Sequence, residues 1–110
     1  MSSTEKMINY IKHNSVRTKT GIQREAITRI LLEFFEAIKD NSTGMKGFIV
    51  MDDSQDKQES VVITFWERKK DMDTFYGPEN RLLSDLVKKL DPSFERLPVR
   101  KDYHVSKFEV

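Results

Sequence analysis

The segment from Val61 to Trp66 constrains the fold most, because it is apolar on both sides of a strand. Alternate side chains of a strand lie on opposite faces of the sheet, here Val61, Ile63 and Phe65 against Val62, Thr64 and Trp66. A chain of 110 residues with about two helices can cover only one face of such a sheet. The simplest cover for the other face is a second copy of the chain, so the segment predicts a homodimer paired through its sheet faces.

Composition limits the classes of partner. The 19 basic and 18 acidic side chains nearly cancel, whereas nucleic-acid binders usually carry a basic surface, so we expect no nucleic-acid partner. The absence of cysteine excludes disulfides, thiolate nucleophiles and zinc–thiolate sites. No segment resembles a signal peptide or a membrane span, so we expect a cytoplasmic protein without a membrane partner. Residues 1–5 are predicted to be a flexible leader and residues 6–110 a single domain.

Hydrophobic periodicity predicts the order β-α-β-β-α-β, with the second helix broken in two. The first helix follows Thr20-Gly21-Ile22-Gln23, which has the spacing of a capping box, and Gly44 suits the turn after it. The predicted elements are a strand over residues 6–17, a helix from the Thr20 cap to Ile38, strands over 47–51 and 59–66, helices over 69–76 and 82–90, and a strand over 99–110.

This order is the split βαβ pattern of a ferredoxin-like α+β domain with an antiparallel sheet. The last predicted strand changes phase, because Val99, Tyr103 and Val105 share one face and Phe108 and Val110 share the other. A bulge near Ser106, or a strand that crosses to a partner subunit, would explain the change.

The same element order also builds an RNA-recognition module, which needs exposed aromatic residues among basic ones on its central strands. The strand from residue 59 to 66 lacks that basic interleaving. The sequence therefore favours a function other than RNA binding.

Four features of the sequence resemble the dimeric α/β-barrel family of antibiotic-biosynthesis-type monooxygenases. They are Gly47-Phe48 at the start of the second strand, Phe65-Trp66-Glu67 at the end of the third, Met72 and Phe75 on the next helix, and Tyr103-His104-Val105 in the last strand. The resemblance spans residues 6 to 110 and implies two four-stranded sheets packed face to face. Members include haem-degrading oxygenases, cofactor-free oxygenases of quinol-like aromatics, and many proteins of unknown role.

The resemblance implies two candidate catalytic residues. In haem-degrading members an Asn on the first strand, a Trp at the end of the third strand and a His on the following helix act together. Trp66 matches that Trp, and Asn14 is similarly placed to that Asn. The helix over residues 69–76 contains no His, and Tyr76 lies about where one would be needed. This departure argues against haem degradation, since an imidazole is the usual ligand of haem iron.

The predicted pocket lies between the sheet and the helices. Trp66 would form a wall of a flat ligand pocket, and Asn14 or Tyr76 would bond a ligand oxygen. Tyr76, Met72, Thr64 and Tyr10 are the predicted ligand-binding residues. Each also has a purely structural interpretation, as core or rim packing or as ordinary polar chemistry near a strand end. No metal site and no cofactor are expected, and haem enters only as a potential substrate.

Two functions follow from these observations. The first is a monooxygenase-like enzyme that binds, and oxidises, a planar aromatic, quinol-like or haem-like ligand. The second is a non-catalytic ligand-binding or stress-associated homodimer with the same fold. The second is favoured by the missing His and by the shortage of titratable groups on the predicted pocket faces. His13 and His104 are predicted to be surface or interface residues instead.

Overall fold

The computed structural model describes residues 7–110, so the predicted leader over residues 1–5 lies outside the described residues. Four strands and three helices follow one another as predicted. They are β1 (Tyr10–Arg17), α1 (Gly21–Ile38), β2 (Met45–Asp52), β3 (Glu59–Trp66), α2 (Lys69–Phe75), α3 (Arg81–Leu90) with a short 3-10 turn at Asp91–Ser93, and β4 (Val99–His104).

The strands form one sheet in the order β2-β3-β1-β4, and every neighbouring pair is antiparallel. β3 lies between β1 and β2, which is the split βαβ arrangement of a ferredoxin-like fold. The predicted α+β class and antiparallel sheet are therefore confirmed.

The predicted two-sided character of β3 is confirmed. Ser60, Val62, Thr64 and Trp66 are buried, and the residues between them are only partly buried. The side of the sheet that carries Trp66 faces the helices, where Ile27 of α1 and Met72 of α2 are almost completely buried in the same core. Strand register extends this side to Asn14, which pairs with Val62.

The opposite side of the sheet carries no helix among the described residues, and we call it the open face. Its centre is Ile63, which pairs with Ile49 on β2 and with His13 on β1. Five large apolar residues of this face are at least 40% exposed: Ile49, Met51, Val99, Tyr103 and Phe108. A single chain thus leaves an extended apolar surface in contact with water.

Two predicted strands are shorter in the structure. β1 begins at Tyr10 rather than at residue 6, and β4 ends at His104 rather than at Val110. After β4 the Val105 amide donates to the carbonyl of Asn9 at 2.7 Å, and the Phe108 ring then packs against Phe65 at 5.8 Å between centroids. The change of phase near Ser106 therefore marks the end of the strand and not a bulge. The bulge that the sheet does contain lies in β2, between Met45 and Gly47.

The caps and turns of α1 follow the prediction. The Thr20 hydroxyl oxygen accepts from the Gln23 amide at 3.1 Å, as a capping residue does. Gly44 has φ +80°, and a Cβ there would lie 2.3 Å from Asp71 Oδ2. The turn before β2 therefore requires glycine at this position.

Candidate functional site

Asn14 is the buried polar centre of the helix-facing side of the sheet. Its Nδ2 donates to the Val62 carbonyl at 3.0 Å and to the Tyr76 hydroxyl at 3.1 Å. Its Oδ1 accepts from Arg100 Nε at 3.1 Å. Alternation along β1 turns this side chain inward, and antiparallel pairing sets Val62 on one side of it and Arg100 on the other. The Asn14 amide is therefore held by β3, by the end of α2 and by β4.

A line of hydrogen bonds continues from Asn14 to Trp66. The Tyr76 hydroxyl lies 2.8 Å from Thr64 Oγ1, and Thr64 Oγ1 accepts from Trp66 Nε1 at 2.9 Å. Thr64 and Trp66 are two residues apart on β3, so their side chains lie on the same face, and Tyr76 reaches them from the end of α2. Because Trp66 and Thr64 are completely buried, these bonds satisfy groups that water cannot reach.

Two cations flank the ring of Tyr76. Lys12 Nζ and Arg100 Cζ each lie 5.0 Å from its centroid, within the range of a cation–π contact. Lys12 also forms an ion pair with Asp102. Burial raises the pKa of the Tyr76 hydroxyl, and this effect outweighs the hydrogen bonds from Thr64 and Asn14 and the charge of Arg100, which lower it. The phenol is therefore neutral at physiological pH.

The raised pKa of Tyr76 predicts a loss of stability at alkaline pH. Because the folded-state pKa exceeds the unfolded value of about 10, the contribution of this group is complete below pH 10 and is lost as pH rises further. We expect Tyr76→Phe to lower the free energy of unfolding by about 1 kcal/mol near neutral pH, since one hydroxyl and its bonds are removed. The difference between the two proteins should shrink above about pH 10 in urea titrations. A difference that stays constant from about pH 8 to about pH 11 would contradict this assignment.

A cavity lies between the sheet and α3, beside Asn14 and Tyr76. Its volume is about 40 Å³, and its polar or charged lining residues are Asn14, Tyr76 and Arg100. The remaining lining residues are apolar: Val16, Leu31, Phe35, Val62, Leu83, Leu86, Val87, Leu90, Phe94 and Pro98. Pockets for drug-sized ligands hold roughly 300–1,000 Å³, so this cavity admits water but no aromatic ring without movement of its walls.

The structure brings some predicted site residues to the cavity and leaves others behind it. Asn14 and Tyr76 line it. Trp66, Thr64 and Met72 are completely buried and are absent from the lining. Tyr10 lies farther along the sheet, where its ring meets His104 edge to face at 5.2 Å. The roles assigned to all six residues remain predictions.

Sequence reasoning missed Arg100, the charged residue of the cavity. A charged residue on a terminal strand is usually solvated, and nothing in the local sequence distinguishes Arg100 from Lys101 or Asp102. The signal was alternation in β4: Val99 and Tyr103 belong to the open face, so Arg100 must lie on the helix side. His13 is partly buried on the open face against Tyr103, and His104 is exposed and packs on Tyr10, so a role for either at an interface stays a prediction.

A larger depression lies away from these residues. It has a volume of about 530 Å³ and runs between the end of α1 and the α2–α3 region, with Phe34, Asp71 and Leu82 on its walls. It is open to solvent and contains none of the predicted site residues. We therefore place the candidate site at the smaller cavity, where buried polar groups converge.

No protein-family model matches the sequence, and the search of curated proteins finds no significant match. Solved structures do match over nearly their whole length. A monooxygenase from the gene ActVA-Orf6 of Streptomyces coelicolor, in complex with the ligand Nanaomycin D, superposes with a TM-score of 0.80 at 11% identity, covering 100% of this chain and 98% of that one. A Caulobacter crescentus protein thought to be an antibiotic biosynthesis monooxygenase gives 0.74 at 10% identity, with 92% and 93% covered.

A third structure, SnoaB of Streptomyces nogalater, a cofactor-independent oxygenase, gives a TM-score of 0.66 at 10% identity and covers 91% of this chain and 95% of that one. The chain has the fold of antibiotic biosynthesis monooxygenases. The resemblance predicted from the sequence is thus confirmed at the level of the fold. No helix of residues 7–110 is long and apolar enough to cross a membrane, and a cytoplasmic location stays a prediction.

Proposed function

We propose that the protein binds a planar, quinol-like aromatic molecule in the cavity beside Asn14 and Tyr76. The observation that carries the proposal is a hydrogen-bonded amide–phenol pair, with Asn14 buried and Tyr76 partly buried, at the wall of a cavity whose other lining residues, apart from Arg100, are apolar. An apolar lining suits flat rings, and a few fixed polar groups suit the oxygen atoms on their edges. Two proteins of the same fold are described as oxygenases, one of them in complex with Nanaomycin D, which supports this ligand class.

Binding requires the cavity to widen, since about 40 Å³ does not hold a ring system. The wall that can move with least disruption is α3, because it covers the cavity with Leu83, Leu86 and Leu90 and is not part of the sheet. Gly77-Pro78 precedes this helix and Asp91-Pro92 follows it, so it is a short segment between two chain reversals. We propose that α3 moves outward when a ligand enters.

Oxidation of the ligand is the further step of this proposal. Both Asn14 N–H groups already have acceptors, the Val62 carbonyl and the Tyr76 hydroxyl, so a ligand oxygen would replace one partner of the Asn14–Tyr76 bond. The group released would then position that oxygen, and the leucines would exclude water. The described lining contains no carboxylate and no imidazole that could remove a proton. The lack of a base favours the second candidate, a ligand-binding protein without catalysis. A ligand that is already ionised would not need a base, and its oxidation would stay compatible with this lining.

Haem is a weaker candidate substrate. Neither His13 nor His104 lines the cavity, and the Tyr76 oxygen is already bonded by Asn14 and Thr64. A tyrosine can ligate haem iron, but here it would first have to give up both partners.

We also propose that the protein is a homodimer paired through the open face. The exposed apolar residues of that face lie on the two edge strands, Ile49 and Met51 on β2 and Val99 and Tyr103 on β4, on either side of Ile63 at the centre, and this breadth fits burial against an identical surface. The helices already cover the other side of the sheet. Pairing of two open faces would produce the two-sheet barrel that the resemblance implies.

Titration with 1,4-naphthoquinone and its reduced quinol tests the binding proposal. We expect saturable binding by calorimetry, weakened roughly tenfold in Asn14→Ala because one buried hydrogen bond to the ligand is lost. Ser15→Ala is the matched control, since Ser15 is the next residue and lies on the open face. It should bind like the unsubstituted protein.

Oxygen uptake separates the two candidate functions. Consumption of oxygen with bound quinol supports an oxygenase, and binding without consumption supports the non-catalytic alternative. If neither the quinone nor the quinol binds, the proposed function is wrong.

A further inference from the structure

Arg100 gives the cavity a positive charge without a balancing negative one. Of the described residues that line the cavity, Arg100 alone is charged and Arg100 alone is exposed. No Asp or Glu side chain of residues 7–110 lies within ion-pair distance of it. Lys12 is the other cation nearby, and its charge is balanced by Asp102. The mouth of the cavity therefore carries a net positive charge.

The guanidinium of Arg100 is held in a fixed position. Its Nε donates to Asn14 Oδ1 at 3.1 Å, and its Cζ lies 5.0 Å from the centroid of the Tyr76 ring. No hydrogen bond to the described chain uses its two terminal nitrogens. A guanidinium oriented at Nε, with its outer N–H groups unused, can bind an oxyanion through two parallel hydrogen bonds.

Other arginines at the ends of the strands differ from Arg100. Arg17 bonds to Asp56, Glu59 and Glu95, and Arg96 lies 3.5 Å from Glu59. Those arginines hold the loops at one end of the sheet together. Arg100 faces a cavity instead, beside two polar residues that already suit a ligand.

We infer that the ligand is a planar aromatic anion, a phenolate, a hydroxyquinone enolate or an aromatic carboxylate, whose charged oxygen binds the Arg100 guanidinium at the cavity mouth. This inference rests on the proposed function, which it narrows from aromatic molecules in general to ionised ones. The rings lie among the leucines of α3, and the anionic oxygen stays at the boundary with solvent. At this boundary the negative charge of the ligand is not buried. Because the ligand oxygen is ionised, its hydrogen bonds to the guanidinium are stronger than those of a neutral oxygen.

A pair of ligands that differ only in charge tests the inference. 2-Hydroxy-1,4-naphthoquinone is ionised at neutral pH, and its methyl ether is neutral with the same rings. We expect the ionised compound to bind about tenfold more tightly, because Arg100 is exposed and its charge is partly screened. Arg100→Gln should remove most of this preference and leave the affinity for the methyl ether within about twofold.

Arg96→Gln is the control variant, because it removes a cation of the same strand region that does not line the cavity. It should keep the preference, and Arg100→Lys should keep only part of it, since a lysine lacks the planar fork. Circular dichroism of each variant confirms that the fold is retained.

Each result has one interpretation. If both compounds bind with equal affinity, or if Arg100→Gln keeps the preference, the inference is wrong while the proposed function stands. If neither compound binds, the proposed function itself is wrong.

Discussion

We expect Ile63→Lys to sediment as a single chain at concentrations at which the unsubstituted protein sediments as a dimer. Ile63 is the centre of the open face and has Ile49 and His13 as its cross-strand neighbours. A lysine there would place an ammonium group at the middle of the paired sheets, with no described carboxylate beside it. An unpaired buried charge costs several kcal/mol, so the dissociation constant should rise roughly 100-fold or more.

Ile22→Lys is the matched control for this substitution. Ile22 lies on α1 and is 82% exposed, so the same change of residue adds the same charge away from the open face. It should leave the dimer intact. A stable, well-folded single subunit of the unsubstituted protein at micromolar concentration would overturn the proposed dimer directly.

We expect Trp66→Ala to lower the free energy of unfolding by about 3–5 kcal/mol, the usual cost of deleting a fully buried large aromatic side chain. Trp66 is completely buried, and its ring lies 5.3 Å from that of Phe75. The substitution leaves a large void beside Phe75 and removes the donor to Thr64. Urea denaturation followed by circular dichroism, at one fixed protein concentration, measures the loss.

Two further variants give smaller expected losses of stability for comparison with Trp66→Ala. Trp66→Phe keeps an aromatic ring but loses the indole N–H, and should cost roughly 1–2 kcal/mol. Ile22→Ala changes an exposed side chain and should alter stability by less than about 0.5 kcal/mol. A loss below about 1.5 kcal/mol for Trp66→Ala would mean that the core repacks around the gap.

Strand alternation predicted the parts of this fold that depend on local pattern. The side chains of β3 alternate between the two faces of the sheet as expected. The same rule places the neighbouring side chains of His13 and Asn14 on opposite faces. The end of β4 was harder to predict, because an apolar residue such as Phe108 can either continue a strand or pack back onto Phe65, as it does here. Only a tertiary contact distinguishes these outcomes.

The candidate site was predicted in part. Asn14 and Tyr76 were identified separately, yet their hydrogen bond joins residues 62 positions apart, which no local pattern reveals. The placement of Arg100 over Tyr76 depends on the pairing of β1 with β4, which the sequence does not display. The small size of the cavity depends on how the leucines of α3 pack, and periodicity fixes only which face of that helix is apolar.

β4 forms one outer edge of the sheet, and that position has a consequence for solubility. An unpaired edge strand is a template on which other chains can aggregate, and charged side chains are a common protection. Arg100, Lys101 and Asp102 are three consecutive charges in the middle of this edge. Arg100, which we propose selects the ligand, is thus also one of three charges that protect this edge against strand addition, and its replacement would leave Lys101 and Asp102 to protect it.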